Sequence, residues 1–323
     1  MSKSTVSNEK TFTEILIEYS KRFGLPFPIL YMNGTPTEVI IERIKTCLDN
    51  DEIYDLGKHR VRIQNVKRGV DYKNVINKIM ESMNSIQYDY KSLLLEQLEP
   101  IYERKRGKEF TFEEHLEGLI KSLLNNHRWG DNTVKENYED IKIIFNNFDK
   151  EYLKEVDPEL LYNRLLAIEC GNVMLRKQLE GLKKNIKTME KIEKDYGSLD
   201  AFVLSESPNT LANILYTGKY QLEQVGISFA LEYLRKVGID TCKVDSQVKR
   251  LFGSDRLGLV KNKTATSLQS MKLIKEIARD SNLTEIEVDS ILWQFCIQRG
   301  AYICSEVPRC NYCKLKDVCN YNK

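Results

Sequence analysis

From about residue 88 onward, apolar residues recur three and four positions apart in one segment after another, and no stretch alternates as a half-buried strand would. The pattern is plain in Tyr90–Leu98, His115–Leu124 and Tyr138–Phe148. It predicts further helices over Pro158–Ile168, Val173–Tyr196, Leu199–Ser205, Pro208–Tyr216, Ser228–Lys236, Ser246–Phe252, Ser267–Ile277 and Thr284–Cys304. Asp157-Pro158 and Ser207-Pro208 are helix starts: an oxygen for the first free N–H groups, then a proline where its missing donor is not needed. Gly197, Gly238 and Gly253 are stops. A chain punctuated this way builds its core by stacking helices, so an all-α body is expected.

The first 87 residues read differently. Asn33-Gly34 is a turn signal, and the stretch HRVRIQNV alternates polar and apolar side chains, so a small α+β extension is expected there. With 323 residues and 41% apolar content the chain can bury substantial cores. No run of eighteen apolar residues occurs and the first residues lack a signal-like apolar stretch, so a cytoplasmic protein without membrane contact is expected. The formal charge of +2 neither demands nor excludes nucleic acid. The run KKNIKTMEKIEK reads as a solvated helix face.

Half of the eight cysteines stand in CSEVPRCNYCKLKDVC. Cys304, Cys310, Cys313 and Cys319 are spaced C-x5-C-x2-C-x5-C, and four thiolates within so short and polar a segment can close around one metal centre. Zinc ribbons carry two C-x2-C knuckles where this segment has one, which favours an iron–sulfur cluster, with zinc as the alternative. Cys47, Cys170, Cys242 and Cys296 lie in or beside apolar helical patterns and are assigned to packing, with Cys242 left open.

The stretch WQFCIQRGAYICSEVPRCNYCKLKDVC, with Gly300-Ala301-Tyr302-Ile303-Cys304 and Pro308-Arg309-Cys310, resembles the cluster-binding end of the endonuclease III-like helix-hairpin-helix DNA glycosylases. Two upstream stretches extend the likeness. LEQVGISFALEYLRKVG, Leu222 to Gly238, resembles the family's hairpin, and VDSQVKRLFG from Val244 resembles its segment with the catalytic aspartate. The first cysteine loop is one residue shorter than is usual in the family, and Glu223-Gln224 replaces the hairpin's Pro-Gly. The resemblance spans roughly residues 106–323. It implies a two-lobed all-α fold with a C-terminal [4Fe–4S] cluster held by Cys304, Cys310, Cys313 and Cys319. The corresponding divisions are 1–87 as extension, 88–109 as a helix joining the cluster lobe, 110–240 as the helical domain ending in the hairpin, and 241–323 as the C-terminal helices and cluster loop.

The resemblance also implies roles. Asp245 takes the catalytic position, a carboxylate set to stabilise positive charge on the sugar or to orient water. Read from its neighbours alone, Asp245 is equally an N-cap for the helix that follows. Ser228 falls where lyase members carry a lysine; a serine forms no imine, so a monofunctional base-excision glycosylase is implied. A non-catalytic DNA-binding or lesion-recognition protein on the same scaffold is the alternative. Gln224 and Gly226 in the hairpin would hold a DNA phosphate. The polar loop Asn125–Trp129 would fill the gap left by a flipped base, with Asn126, His127 and Trp129 as the favoured contacts. Lys249, Arg250, Arg309, Lys314 and Lys316 would meet the backbone. The implied partner is duplex DNA with one base extruded, bound by a monomer.

Overall fold

The computed structural model describes residues 11–23, 27, 36–50, 54, 70–124 and 132–321. Sixteen α-helices, and no strand, occur among the described residues. They are α1 (Phe12–Phe23), α2 (Thr37–Asp49), α3 (Tyr72–Ser85), α4 (Tyr90–Lys105), α5 (Phe112–Leu124), α6 (Asn132–Glu136), α7 (Tyr138–Ile144) and α8 (Lys150–Glu155). There follow α9 (Pro158–Ala167), α10 (Leu175–Tyr196), α11 (Leu199–Leu204), α12 (Pro208–Tyr216), α13 (Ile227–Lys236), α14 (Ser246–Phe252), α15 (Ser267–Ser281) and α16 (Glu285–Cys296). Asn33-Gly34 and the alternating stretch at 59–66 lie outside the described residues. None of the helices among the described residues is long and apolar enough to cross a membrane.

The expected start signals act as written. Asp157 accepts a hydrogen bond from the Glu159 amide, and Ser207 one from the Thr210 amide. Thr266 and Thr284 form full capping boxes with Gln269 and Glu287. Some helix ends differ from expectation: α7 stops at Ile144 short of Phe148, while α4 runs past Leu98 to Lys105 and α15 past Ile277 to Ser281. The last helix was expected to run to Cys304 but stops at Cys296, because the chain folds back over its end: Ala301 N–H donates to Gln294 O (2.9 Å) and Ile303 N–H to Phe295 O (2.9 Å). Gly300 permits the reversal, since a Cβ there would lie 2.3 Å from the Gln294 carbonyl oxygen.

Helices α5 and α13 pack side by side at the centre of the body. Gly118 brings them together, its missing Cβ leaving just 3.2 Å to Lys236 Cβ and Val237 Cγ1. α12 covers α13, while α10 runs along α8, α9 and α11. A second group forms from distant parts of the chain: α3 and α4 pack on α15 and α16, with α14 wedged against α16. Although α3 falls within residues 1–87, it belongs to the main core through Tyr72, Val75, Ile76, Ile79 and Met83. The separate N-terminal core is made by α1 and α2 around Tyr19, Phe27, Ile44 and Tyr54, and rests on the body through α12.

A buried polar network locks α4, α5, α11 and α13 together. Arg104 donates to both oxygens of Asp200 (2.8 and 2.7 Å) and to Val237 O (2.6 Å) at the end of α13. His115 faces Tyr233 Oη (2.7 Å) through Nδ1 and Asp200 Oδ1 (3.3 Å) through Nε2. Burial raises Asp200's pKa, but the hydrogen bonds from His115 and Arg104 outweigh it and hold the carboxyl well below the usual range. Burial pushes His115 down, so its ring stays neutral.

Candidate functional site

The hairpin turn lies at Leu222–Gly226, between α12 and α13. Gln224 takes a positive φ (59°) that glycine adopts most readily, so the turn closes without a glycine there. Glu223 does not point outward as a bare carboxylate. Its amide donates to Asn185 Oδ1 (2.6 Å), its carbonyl accepts from Asn185 Nδ2 (3.0 Å), and its carboxylate pairs with Lys184. Gly181 on α10 makes the space, since a Cβ at that position would lie only 2.9 Å from Glu223 Cβ. The next glycine, Gly226, N-caps α13 without any side-chain cap and faces open space. The first N–H groups of α13 are thus left for an external acceptor, and Ser228 stands exposed among them.

Asp245 is the N-cap of α14, its Oδ1 accepting from the Gln247 amide at 2.6 Å. It is half-buried, so capping leaves part of the carboxylate accessible. The residue before it, Val244, is held at φ 47°, which crowds a β-branched side chain and marks local strain. Behind this stretch lies a charge cluster that the sequence did not reveal. Asp289 on α16 accepts from Arg235 Nη1 (2.9 Å) and from the Lys243 amide (3.1 Å), while Arg235 also donates to Gln97 (2.8 Å). Burial pushes the Asp289 carboxyl up, Arg235 opposes this, and the charges of Glu232 and Asp245 add to the rise. Burial also acts to raise Glu232, yet Lys243, Lys236 and Arg235 hold it well below the usual range. The link 240–245 is therefore pinned by paired charges, and Asp245 follows it half-buried at the start of α14.

Two basic residues of α14 behave differently from each other. Lys249 is half-buried with its carbonyl receiving the Ala265 amide (2.9 Å). Arg250 turns inward and donates to Cys304 O (3.0 Å) with Glu306 3.9 Å away, its side chain 17% exposed. This hydrogen bond ties α14 to the cysteine loop.

The loop itself is cross-braced. Lys314 N–H donates to Ser82 Oγ on α3 (2.9 Å), Lys78 pairs with Asp317 (2.5 Å), and Asn320 N–H donates to Arg256 O (2.7 Å). Arg256 is buried, donates to Glu306 O (3.1 Å) and stacks on Tyr321. A hydrogen bond with Cys296 and the guanidinium charges of Arg256 and Arg250 lower the Cys304 thiol to about 7 against the effect of burial. Burial pushes Cys313 up to about 11 and Cys319 up as well, and both also feel the charges of Cys304 and Cys310. Cys313 Sγ accepts from the Leu315 amide at 3.4 Å. The four thiols therefore share one neighbourhood, although among the described residues no three His, Cys, Asp or Glu side chains are set to hold a metal ion. Arg309 is exposed, packs near Tyr302 and Tyr312, and donates to Tyr302 O (2.9 Å); Lys314 and Lys316 are exposed on the same loop. Cys47, Cys170, Cys242 and Cys296 are buried.

Asn126, His127 and Trp129 lie outside the described residues. Near the end of α5 the structure brings up a residue the sequence reading passed over. Val173, between α9 and α10, is 95% exposed, and the neighbouring Asn172 donates to Leu123 O (3.3 Å) at the end of α5. A cavity of about 310 Å³ opens elsewhere, where α1 meets α12, lined by Ser20, Lys21, Asn209, Thr241, Lys275 and Glu285; neither Asp245, the hairpin nor the cysteine loop lines it.

No protein-family model matches the chain, and no curated protein matches it. A solved structure is similar: the crystal structure of Methanocaldococcus jannaschii 8-oxoguanine glycosylase/lyase in complex with 15mer DNA containing 8-oxoguanine. The TM-score is 0.47 at 18% identity, over 68% of this chain and 95% of that one.

Proposed function

We propose that the protein is a monofunctional DNA glycosylase, which extrudes a damaged, modified or mismatched base from duplex DNA and hydrolyses its N-glycosidic bond. The observation that carries this reading is the pairing of an uncapped hairpin with Asp245. The hairpin at Gln224–Gly226 offers free amides to a phosphate oxygen without reading any base. Asp245 stands at the start of the following helix, fixed by its own cap bond and by the strained Val244 before it.

In this reading the Asp245 carboxylate stabilises the cationic sugar as the base departs, or holds the attacking water by accepting its proton's hydrogen bond. Ser228, exposed at the hairpin helix, contributes no amine, so the reaction stops at an abasic site.

Cys304, Cys310, Cys313 and Cys319 would hold a [4Fe–4S] cluster. The C-x5-C-x2-C-x5-C spacing, with a single C-x2-C knuckle, favours this over a zinc ribbon. When bound, the cluster fixes the loop that carries Arg309, Lys314 and Lys316; it has no part in bond cleavage. Iron content and visible absorbance of anaerobically purified protein separate this from zinc.

The test is an excision screen over duplexes with oxidised, deaminated, alkylated and mismatched bases, with strand cleavage read before and after alkali. Alkali-dependent cleavage is expected for at least one substrate. Asp245→Asn should abolish it while keeping the fold, because asparagine caps as well as aspartate. Breakage without alkali would overturn the monofunctional reading, and duplex binding that survives Asp245→Asn with no excision anywhere would favour the non-catalytic alternative.

A further inference from the structure

The long helix α10 carries a basic stripe that the reaction above does not use. At 100° per residue, Lys177, Lys184, Lys187, Lys191 and Lys194 fall within an arc of about 100°, opposite the buried Gln178, Leu182, Asn185 and Met189. All five lysines are exposed, and the acidic residues in the same arc are Glu180 and Asp195, the latter paired with Lys219. Among the described residues, Lys177, Lys187, Lys191 and Lys194 make no ion pair within 4 Å; Lys191 lies over the Tyr220 ring and near Asp195, whose carboxylate is itself held by Lys219. From Lys177 to Lys194 the stripe is about 26 Å long at 1.5 Å per residue.

Its position gives it a partner. The stripe passes the hairpin turn at Lys184, whose neighbour Asn185 clamps the Glu223 backbone from both sides. The pairing of Lys184 with Glu223 also neutralises the hairpin's own carboxylate where it meets the helix. Lys187 lies about one turn beyond this point, with Lys191 and Lys177 about two turns to either side. A rigid row of cations continuous with a phosphate-binding turn matches a rigid row of phosphates, and duplex DNA presents one charge per ~1.7 Å of its axis.

We infer that the solvent face of α10 is a second, sequence-independent track for the duplex backbone, engaging phosphates several base pairs away from the extruded base. This inference rests on the proposed function. It adds that grip on undamaged DNA comes largely from a helix remote from Asp245, which would let the protein stay on the duplex while it searches.

The experiment compares wild type with the variant Lys177→Gln/Lys187→Gln/Lys191→Gln/Lys194→Gln on an undamaged 30-base-pair duplex, by fluorescence anisotropy across a salt series. A second variant, Lys45→Gln/Lys73→Gln/Lys91→Gln/Lys105→Gln, removes the same charge from other exposed surfaces. Each lost phosphate contact reduces the slope of log K against log salt by about 0.9, so a slope shallower by about 3 to 4 is expected for the α10 variant and little change for the other. Equal effects from both variants, or none from the α10 variant, overturn the track. If wild type binds no duplex at all, the proposed function itself fails.

Discussion

Replacing Asp200 with alanine would strand the Arg104 guanidinium in the interior, and the consequence can be worked out from the contacts. The two side chains, Arg104 and Asp200, are 13% and 7% exposed, so water screens the pair little. The change deletes two short charge-assisted bonds to Arg104 and the contact with His115, leaving Arg104 with Val237 O as its remaining acceptor in this network. Losing one partner of a buried pair costs about 3–5 kcal/mol. At about 2 °C per kcal/mol for a chain of this size, the melting temperature should fall by roughly 6–10 °C. The cause is the unpaired charge and not the missing contacts alone, so the double variant Arg104→Met/Asp200→Leu should recover a large part of the loss. Differential scanning calorimetry of wild type, Arg104→Met, Asp200→Leu and the double variant measures the coupling directly. The network also sets a pH window. Asp200's folded pKa is depressed, so its stabilisation is present above the ordinary carboxylate range and disappears as pH falls through the folded value. Burial lowers His115's pKa, so the unfolded chain binds the extra proton below about pH 6.5 and stability declines as pH falls from there. An Asp200→Ala variant that melts within 1 °C of wild type, or a double variant no better than the sum of its parts, would refute this account.

Three further outcomes are expected. Ser228→Lys places an amine at the exposed start of α13, and should add alkali-independent strand cleavage trapped by borohydride; its absence with intact excision would show that residue 228 does not reach the sugar. Val244→Gly relieves a left-handed β-branched residue worth about 1–2 kcal/mol, offset by glycine's greater freedom when unfolded, so the melting temperature should hardly move while excision drops as Asp245 loses its fixed approach. Burial, with help from Asp240 and Asp289, pushes Glu285 up to about 7, so the folded state binds the extra proton between the ordinary glutamate range and pH 7 and loses stability as pH rises through that window. Glu285→Gln should accordingly melt higher than wild type at pH 8 and show no such advantage at pH 4.5, as read by thermal denaturation.

What the sequence disclosed was local. Asp157, Ser207 and Asp245 declare themselves as caps because a cap needs only its own next few amides, and all three act as such. The hairpin turn was legible for the same reason, but the fate of Glu223 was not: its partners Lys184 and Asn185 are nearly forty residues away. Asp289 hid inside an apolar helix where only the arrival of Arg235 and Lys243 makes a carboxylate tolerable. Arg250 reads as surface charge in VDSQVKRLFG and becomes internal once the cysteine loop folds over it. Helical periodicity reports which face a helix buries, not which distant segment covers it, and α3 joined the main core for that reason.

The pairing of α3 and α4 with α15 and α16 bears on how the chain is born. Tyr88 meets Gln294 206 residues later, and Ser82 waits 232 residues for the Lys314 amide. At roughly 5–20 residues per second, a ribosome needs on the order of ten to forty seconds to deliver those partners. Throughout that interval the body from α5 to α13 can condense on contacts close in sequence, while Ile76, Ile79 and Met83 have nothing to cover them. The second lobe is thus the part of the nascent protein most in need of a chaperone.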